Sequence, residues 1–179
     1  NHIDVSRVTT MHNVFTNTDF NGDISQWNVS GVKHMTEMFV RSKFNGDISR
    51  WNTAKVENMS SMFFNSEFNG DISRWNTSNV EDMNSMFARS KFNGDISRWD
   101  VSKVESMVYM FRNSAFRGDI SQWAVRDDLA ADSVFEESPA SAHPNFGKLH
   151  FMAKAEDESK SRNESPMRHV MVTSELQDR

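Results

Sequence analysis

The sequence predicts an α/β solenoid built from 24-residue strand–turn–helix repeats and followed by a C-terminal extension. Three recurrences carry this prediction. A Phe-x-Gly segment and a pair ending in Phe both return at the same interval as the tryptophans. The tryptophans stand at Trp27, Trp51, Trp75, Trp99 and Trp123. A fixed period in this range is typical of stacked repeats, in which each unit buries its apolar face on the next.

The second half of each copy predicts a short helix. Val32, Met35, Met38 and Phe39 recur at spacings that put them on one face of a helix with about 3.6 residues per turn. A serine stands at the expected N-cap position of several copies, where its hydroxyl would accept a free N–H. We therefore expect one helix per copy, with its apolar face turned inward.

The first half of each copy predicts a tight turn and then a short strand. Asn-Gly, as at 45–46, favours positive φ. The following Asp-Ile-Ser-x-Trp segment is too short to stand alone, but stacked copies would pair such strands about 4.8 Å apart. The predicted core comprises the equivalents, in every copy, of Ile24, Trp27, Val32, Met35, Met38 and Phe39.

Two regions are predicted along the chain. Residues 1–137 form the repeat region, with five full copies, a partial copy at the N-terminus and a degenerate last copy. Residues 138–179 form a linker and a polar tail. The first copy shows no polar cap, so we expect the cap to be missing, to lie in residues of a longer chain or to be supplied by a partner. The candidate tail contacts are Phe146, Leu149, Phe151 and Met152.

Composition excludes several classes of site. The 179 residues carry a formal charge of −5 and no cysteine, so disulfides and thiolate metal sites are impossible. The acidic balance argues against nucleic-acid binding. No apolar run is long enough for a membrane span, and the chain shows no signal peptide, so the compartment is left open.

The aspartates form the sharpest candidate for chemistry, because one recurs in every Asn-Gly-Asp or Arg-Gly-Asp turn. Stacked carboxylates can bind calcium, but one Asp per copy supplies few of the six to eight oxygens that calcium takes. We interpret them as acceptors of backbone N–H groups in their own turns. The histidines are dispersed, and no nucleophile, base and orienting group recur together, so we predict no metal, no cofactor and no enzymatic activity.

Two sets of surface residues are candidate contacts. Arg50, Arg74 and Arg98 precede successive tryptophans and would form a basic strip for a phosphate, an acidic glycan or an acidic protein surface. The alternative is a solvated surface on which these arginines pair with Asp, Glu or Trp. Phe64 and Tyr109 interrupt the pattern at outward positions and are candidate contact anchors, although single exposed aromatics are also common.

The unit Phe-Asn-Gly-Asp-Ile-Ser-x-Trp-Asn-Val/Thr-Ser-x-Val-x-x-Met-x-x-Met-Phe, over roughly residues 1–135, resembles the BspA-like repeat family of bacterial surface proteins, which includes mycoplasma surface lipoproteins. The resemblance implies a leucine-rich-repeat-like solenoid, a surface or secreted location, and interaction or adhesion. It implies no shared catalytic residues.

Three functions follow as hypotheses. The first is a non-catalytic module for protein interaction or surface adhesion. The second is a structural subunit held in a large assembly, such as a virion or an organellar complex, through its ends and its tail. The third is an adhesin that binds acidic glycans through the arginine strip.

Overall fold

The computed structural model describes residues 3–139, which stack as six layers with a 24-residue step. Layer 1 covers 3–28, and layer 6 covers 125–139. The four layers between them cover 29–52, 53–76, 77–100 and 101–124. Isolated parallel bridges join the same position of successive layers, through Thr10, His34, Asn58, Asp82, Ser106 and Ala130.

The predicted α/β solenoid of strand–turn–helix repeats is wrong. Residues 3–139 contain no α-helix and no extended strand, and their only β pairing is that single column of bridges. The segment predicted as a helix is a series of overlapping turns. In layer 2, the N–H groups of Met38, Val40 and Ser42 each donate to the carbonyl three residues earlier, at 3.2–3.3 Å.

Two residues in each layer prevent the helix. Glu37 and Arg41 have φ values of 57° and 51°, in the left-handed region, and the same two positions have positive φ in every layer. A residue with this backbone conformation cannot continue a right-handed helix. The apolar spacing predicted a helix because it records only which residues face the core, and a chain of turns can satisfy it equally well.

The backbone N–H groups that a helix would use internally bind the next layer instead. The N–H groups of Met35, Glu37, Phe39 and Arg41 donate to carbonyls of layer 3 at 2.9–3.0 Å. The same set of four bonds recurs at all five interfaces between the six layers. Each interface also has backbone N–H groups that donate in the opposite direction, as from Glu57 to the preceding layer at 2.8 Å.

The predicted strand is also a turn, and a side chain replaces the expected ladder. The backbone N–H of Trp75 donates to Ile72 within its own layer at 3.1 Å. Its indole Nε1 donates to the carbonyl of Ile48 in the preceding layer at 3.0 Å. Trp51, Trp99 and Trp123 make the equivalent bond. Each of these tryptophans therefore ties two layers together while its ring fills the core.

Columns of parallel aromatic rings run through the core. The Phe63 ring stacks on Phe39 and Phe87, its equivalents in the neighbouring layers, at centroid distances of 5.5 and 5.7 Å. A second column, which includes Phe68, has a spacing of 6.2–6.3 Å. The predicted core is confirmed for Ile24, Val32, Met35, Met38 and Phe39, which are all buried. Trp27, in the first layer, is only partly buried.

The glycines allow the backbone to approach a phenylalanine ring closely, and they do not adopt positive φ. No glycine in residues 3–139 has a positive φ, so the predicted role of the Asn-Gly pairs is wrong. A Cβ added at Gly70 would lie 2.8 Å from the ring of Phe68, and the equivalent glycines show the same contact. The backbone passes directly over a buried phenylalanine, and only glycine leaves room for it.

We expect Gly70→Ala to lower the free energy of unfolding by about 1–3 kcal/mol, as in other overpacked cores. The Phe68 ring is fully buried, so it has little room to move away. Gly31→Ala is the control, because its Cβ would meet nothing closer than 3.4 Å. Urea unfolding of both variants checks this, and equal stabilities would contradict the packing role.

Candidate interaction surfaces

The arginine strip shares its surface with the aspartates. Arg50, Arg74 and Arg98 are all exposed, as predicted. Each follows an aspartate by three residues, and each arginine's charge contributes to lowering the pKa of that aspartate's carboxyl group. Five layers carry an aspartate at this position and three carry an arginine after it. The face therefore carries both signs of charge and is not a uniformly basic strip.

The aspartates are turn residues, as predicted from sequence. Asp71 Oδ1 accepts the backbone N–H of Ser73 at 2.9 Å, and the equivalent bond forms at Asp23, Asp47, Asp95 and Asp119. This backbone hydrogen bond is the largest cause of the lowered pKa of Asp71, and a hydrogen bond from the Ser73 side chain is the second. Within the described residues, no three His, Asp or Glu side chains converge in a way that could hold a metal ion.

Phe64 and Tyr109 belong to one continuous patch with two arginines. The Arg89 guanidinium lies 6.0 Å from the centroid of the Phe64 ring, and the Arg112 guanidinium lies 5.1 Å from that of Tyr109. The backbone N–H of Arg89 donates to the carbonyl of Arg112 at 2.8 Å, which joins the two pairs. We call Phe64, Arg89, Tyr109 and Arg112 the aromatic–arginine patch. Sequence reasoning found its aromatics and missed its arginines. The Phe64–Arg89 pair depends on the stacking of layers 3 and 4, whereas Tyr109 and Arg112 are only three residues apart in layer 5.

Tyr109 occupies a strained backbone position. Its φ is 58°, and it stands at the first left-handed position of layer 5. The other layers carry Asn, Glu or Ser there. A left-handed conformation costs a residue with a Cβ roughly 1–2 kcal/mol, and a bulky residue is a genuine outlier there. Tyr109 is nevertheless 39% exposed, so its ring is not retained for core packing alone.

The outer face of layer 1 is open. Phe15, Phe20 and Trp27 are partly buried, whereas their equivalents in layer 2 are buried. A cleft of about 690 Å³ lies beside these rings and is lined mostly by apolar side chains. Its rim includes Ile3 and Val14, which are 65% and 48% exposed. The sequence indicated an uncapped first copy, but it did not indicate a cleft, because the cleft depends on how the rings stack.

The candidate tail contacts Phe146, Leu149, Phe151 and Met152 lie outside the described residues. A second, smaller cleft on the flank of the stack is lined by lysines, glutamates and an asparagine, and its Lys33–Glu57 pair has an N–O distance of 2.7 Å. In the part of the chain that the structure describes, no helix is long and apolar enough to cross a membrane.

We expect the chain to lose stability in acid as the aspartates protonate. Their pKa values are lower in the folded state than the ordinary 3.8, so the unfolded chain binds protons first. The stabilisation is therefore complete only about one pH unit above the ordinary value of 3.8, and it is lost as pH falls through the lowered pKa values. Asp71→Asn keeps the acceptor oxygen but does not titrate, so it should reduce the pH dependence of the melting temperature below pH 4. An unchanged dependence would contradict this role.

Comparison with known proteins assigns the chain to a family whose function is unknown. No curated protein and no solved structure matches the chain. One family model matches it twice, over residues 1–89 and 42–146. These overlapping matches cover the whole described stack and reflect its internal repetition. The similarity expected to BspA-like repeats is confirmed only at the coarser level of a mycoplasma family. The chain belongs to the family described as "Mycoplasma protein of unknown function, DUF285".

Proposed function

We propose that this chain is a non-catalytic protein-interaction module that binds a partner through the aromatic–arginine patch. The observation that carries the proposal is Tyr109, an exposed aromatic residue kept at a left-handed position and covered by the Arg112 guanidinium. Every layer has positive φ at this position, so what distinguishes layer 5 is a large, exposed aromatic where the other layers carry Asn, Glu or Ser, and this supports a role in contact.

The chemistry of the patch supports protein binding. Tyrosine and arginine are enriched among the residues that dominate binding energy at protein interfaces. Arg112 is already oriented, since its Nε lies 3.1 Å from a carboxylate oxygen of Glu136, and it would lose little side-chain entropy on binding. The residues are fixed on three hydrogen-bonded layers, so the patch presents its two aromatic–guanidinium pairs in one rigid arrangement.

The resemblance to surface-protein repeats supports adhesion as a form of the proposed function. The mixed charge of the arginine face gives the glycan hypothesis less support than a single-sign strip would.

Tyr109→Asn tests the proposed interaction. Asparagine tolerates the left-handed conformation, and this relief offsets part of the packing lost with the ring. We therefore expect the free energy of unfolding to change by no more than about 1 kcal/mol, while binding falls at least tenfold, as for a hot-spot residue. The probe is a set of peptides selected from a displayed random library on the wild-type chain, with affinities measured on each variant.

Ser85→Asn is the matched control. It introduces the same residue at the equivalent left-handed position one layer earlier, outside the patch. Arg112→Ala should weaken the same peptides as Tyr109→Asn. If the selected peptides bind Tyr109→Asn as tightly as they bind Ser85→Asn, the patch is not the interaction site.

A further inference from the structure

We propose that the partner of the aromatic–arginine patch is an acidic peptide segment, whose two carboxylates lie three residues apart and bind Arg41 and Arg89 on either side of Phe64. The inference rests on the proposed function, because it names the chemistry of the partner that this surface would bind. Two observations carry it. Both arginines lack an ion-pair partner within residues 3–139, and the turns around Phe64 carry no acidic residue in layers 3 and 4.

Arg41 and Arg89 flank Phe64 from the two neighbouring layers. They occupy the second left-handed position of layers 2 and 4, with φ values of 51° and 58°, and both are exposed. The backbone N–H of Arg41 donates to the carbonyl of Phe64 at 2.9 Å, and the Arg89 guanidinium lies 6.0 Å from the centroid of the Phe64 ring. The equivalent residue of layer 3 is Asn65, which is uncharged. The aromatic ring is therefore bordered by one cation on each side.

Neither arginine has an ion-pair partner in the part of the chain that the structure describes. Other exposed cations do have one. Lys91 Nζ lies 3.3 Å from a carboxylate oxygen of Glu67, and Arg112 Nε lies 3.1 Å from one of Glu136. A guanidinium can form two parallel hydrogen bonds with a carboxylate, and such charge-assisted bonds are stronger than neutral ones. An incoming carboxylate would therefore gain an ion pair without displacing one.

The turns around Phe64 form a local positive site on a chain whose formal charge is −5. In layers 3 and 4, the four turn positions equivalent to 36, 37, 40 and 41 carry Ser60, Ser61, Phe64, Asn65, Asn84, Ser85, Ala88 and Arg89. Within residues 3–139, acidic residues occur at these positions only in layers 2 and 6. Charge complementarity therefore directs an acidic segment to the arginines beside Phe64 and disfavours its binding elsewhere on the chain.

The separation of the two arginines sets the spacing of the carboxylates. Their backbone positions are two steps of the stack apart, and parallel bridges join the layers at each step. Two such steps span about 10 Å, because paired chains lie roughly 4.8 Å apart. In a polyproline II segment, residues three apart lie on the same side and about 9 Å from each other. Prolines between the two acidic residues would hold this geometry and present apolar surface to Phe64.

The probe is a synthetic peptide with the sequence Glu-Pro-Pro-Glu between glycine and serine flanks, titrated into the full chain by calorimetry. We expect Arg41→Gln and Arg89→Gln each to weaken binding about fivefold, the upper range for one exposed ion pair, and to leave the melting temperature unchanged. Raising the salt concentration should weaken the wild-type complex. Arg117→Gln is the matched control and should leave the affinity unchanged. Arg117 is also exposed and has no ion-pair partner among the described residues.

Three results would overturn the proposal. The first is equal binding of the peptide Gln-Pro-Pro-Gln, or no binding of the acidic peptide. The second is equal binding of a peptide with adjacent glutamates, which would reject the spacing. The third is a peptide affinity that rises about fivefold or more when Glu156→Gln, Asp157→Asn and Glu158→Gln are combined. That rise would assign the site to the chain's own acidic residues and not to a partner.

Failure of this inference can be distinguished from failure of the proposed function. Library-selected peptides that lose affinity for Tyr109→Asn, but bind Arg41→Gln and Arg89→Gln like the wild type, would contradict only the acidic partner. Selected peptides that bind Tyr109→Asn normally would contradict the proposed role of Tyr109. In that case, loss of Glu-Pro-Pro-Glu binding in both arginine variants would still support the acidic-peptide site.

Discussion

The fold depends on the four backbone N–H groups that each layer donates to the next. A short helix would have used these groups internally and left each copy separate. Left-handed residues at two positions of every layer turn the groups outward, so that the energy of backbone pairing is realised only between layers. Single copies cannot be stable on their own, and the aromatic columns, the tryptophan bonds and the glycine contacts all reinforce the same interface.

This interface also positions both candidate surfaces. The aromatic–arginine patch exists because one step of the stack brings Arg89 beside Phe64, which lies 25 positions earlier in the chain. The cleft is lined by residues of layer 1, including Phe15, Phe20 and Trp27. The patch is a departure from the repeat.

The sequence predicted the period, the stacking of copies, the buried side chains and the turn role of the aspartates. It failed on the backbone, and the reason is physical. Glu37 and Arg41 have no strong preference for positive φ, so their conformation is imposed by the hydrogen bonds to layer 3, and only some of the other layers carry asparagine at these positions. Apolar spacing near that of a helix is equally produced by successive turns. The Asn-Gly pairs misled for a related reason, since a ring contact and not a left-handed turn requires their glycine.

The near-identity of the layers has a consequence for how the chain reaches this structure. A layer that docks one copy out of place finds almost the same hydrogen bonds, the same rings and the same glycine as in the correct position. The landscape therefore contains slipped arrangements that differ little in energy from the native one. The few contacts between layers that are not repeated, such as Arg89 over Phe64 or the Arg112–Glu136 ion pair, supply the information that breaks this degeneracy. A chain of perfectly identical copies would bury as much surface and yet would have no unique register.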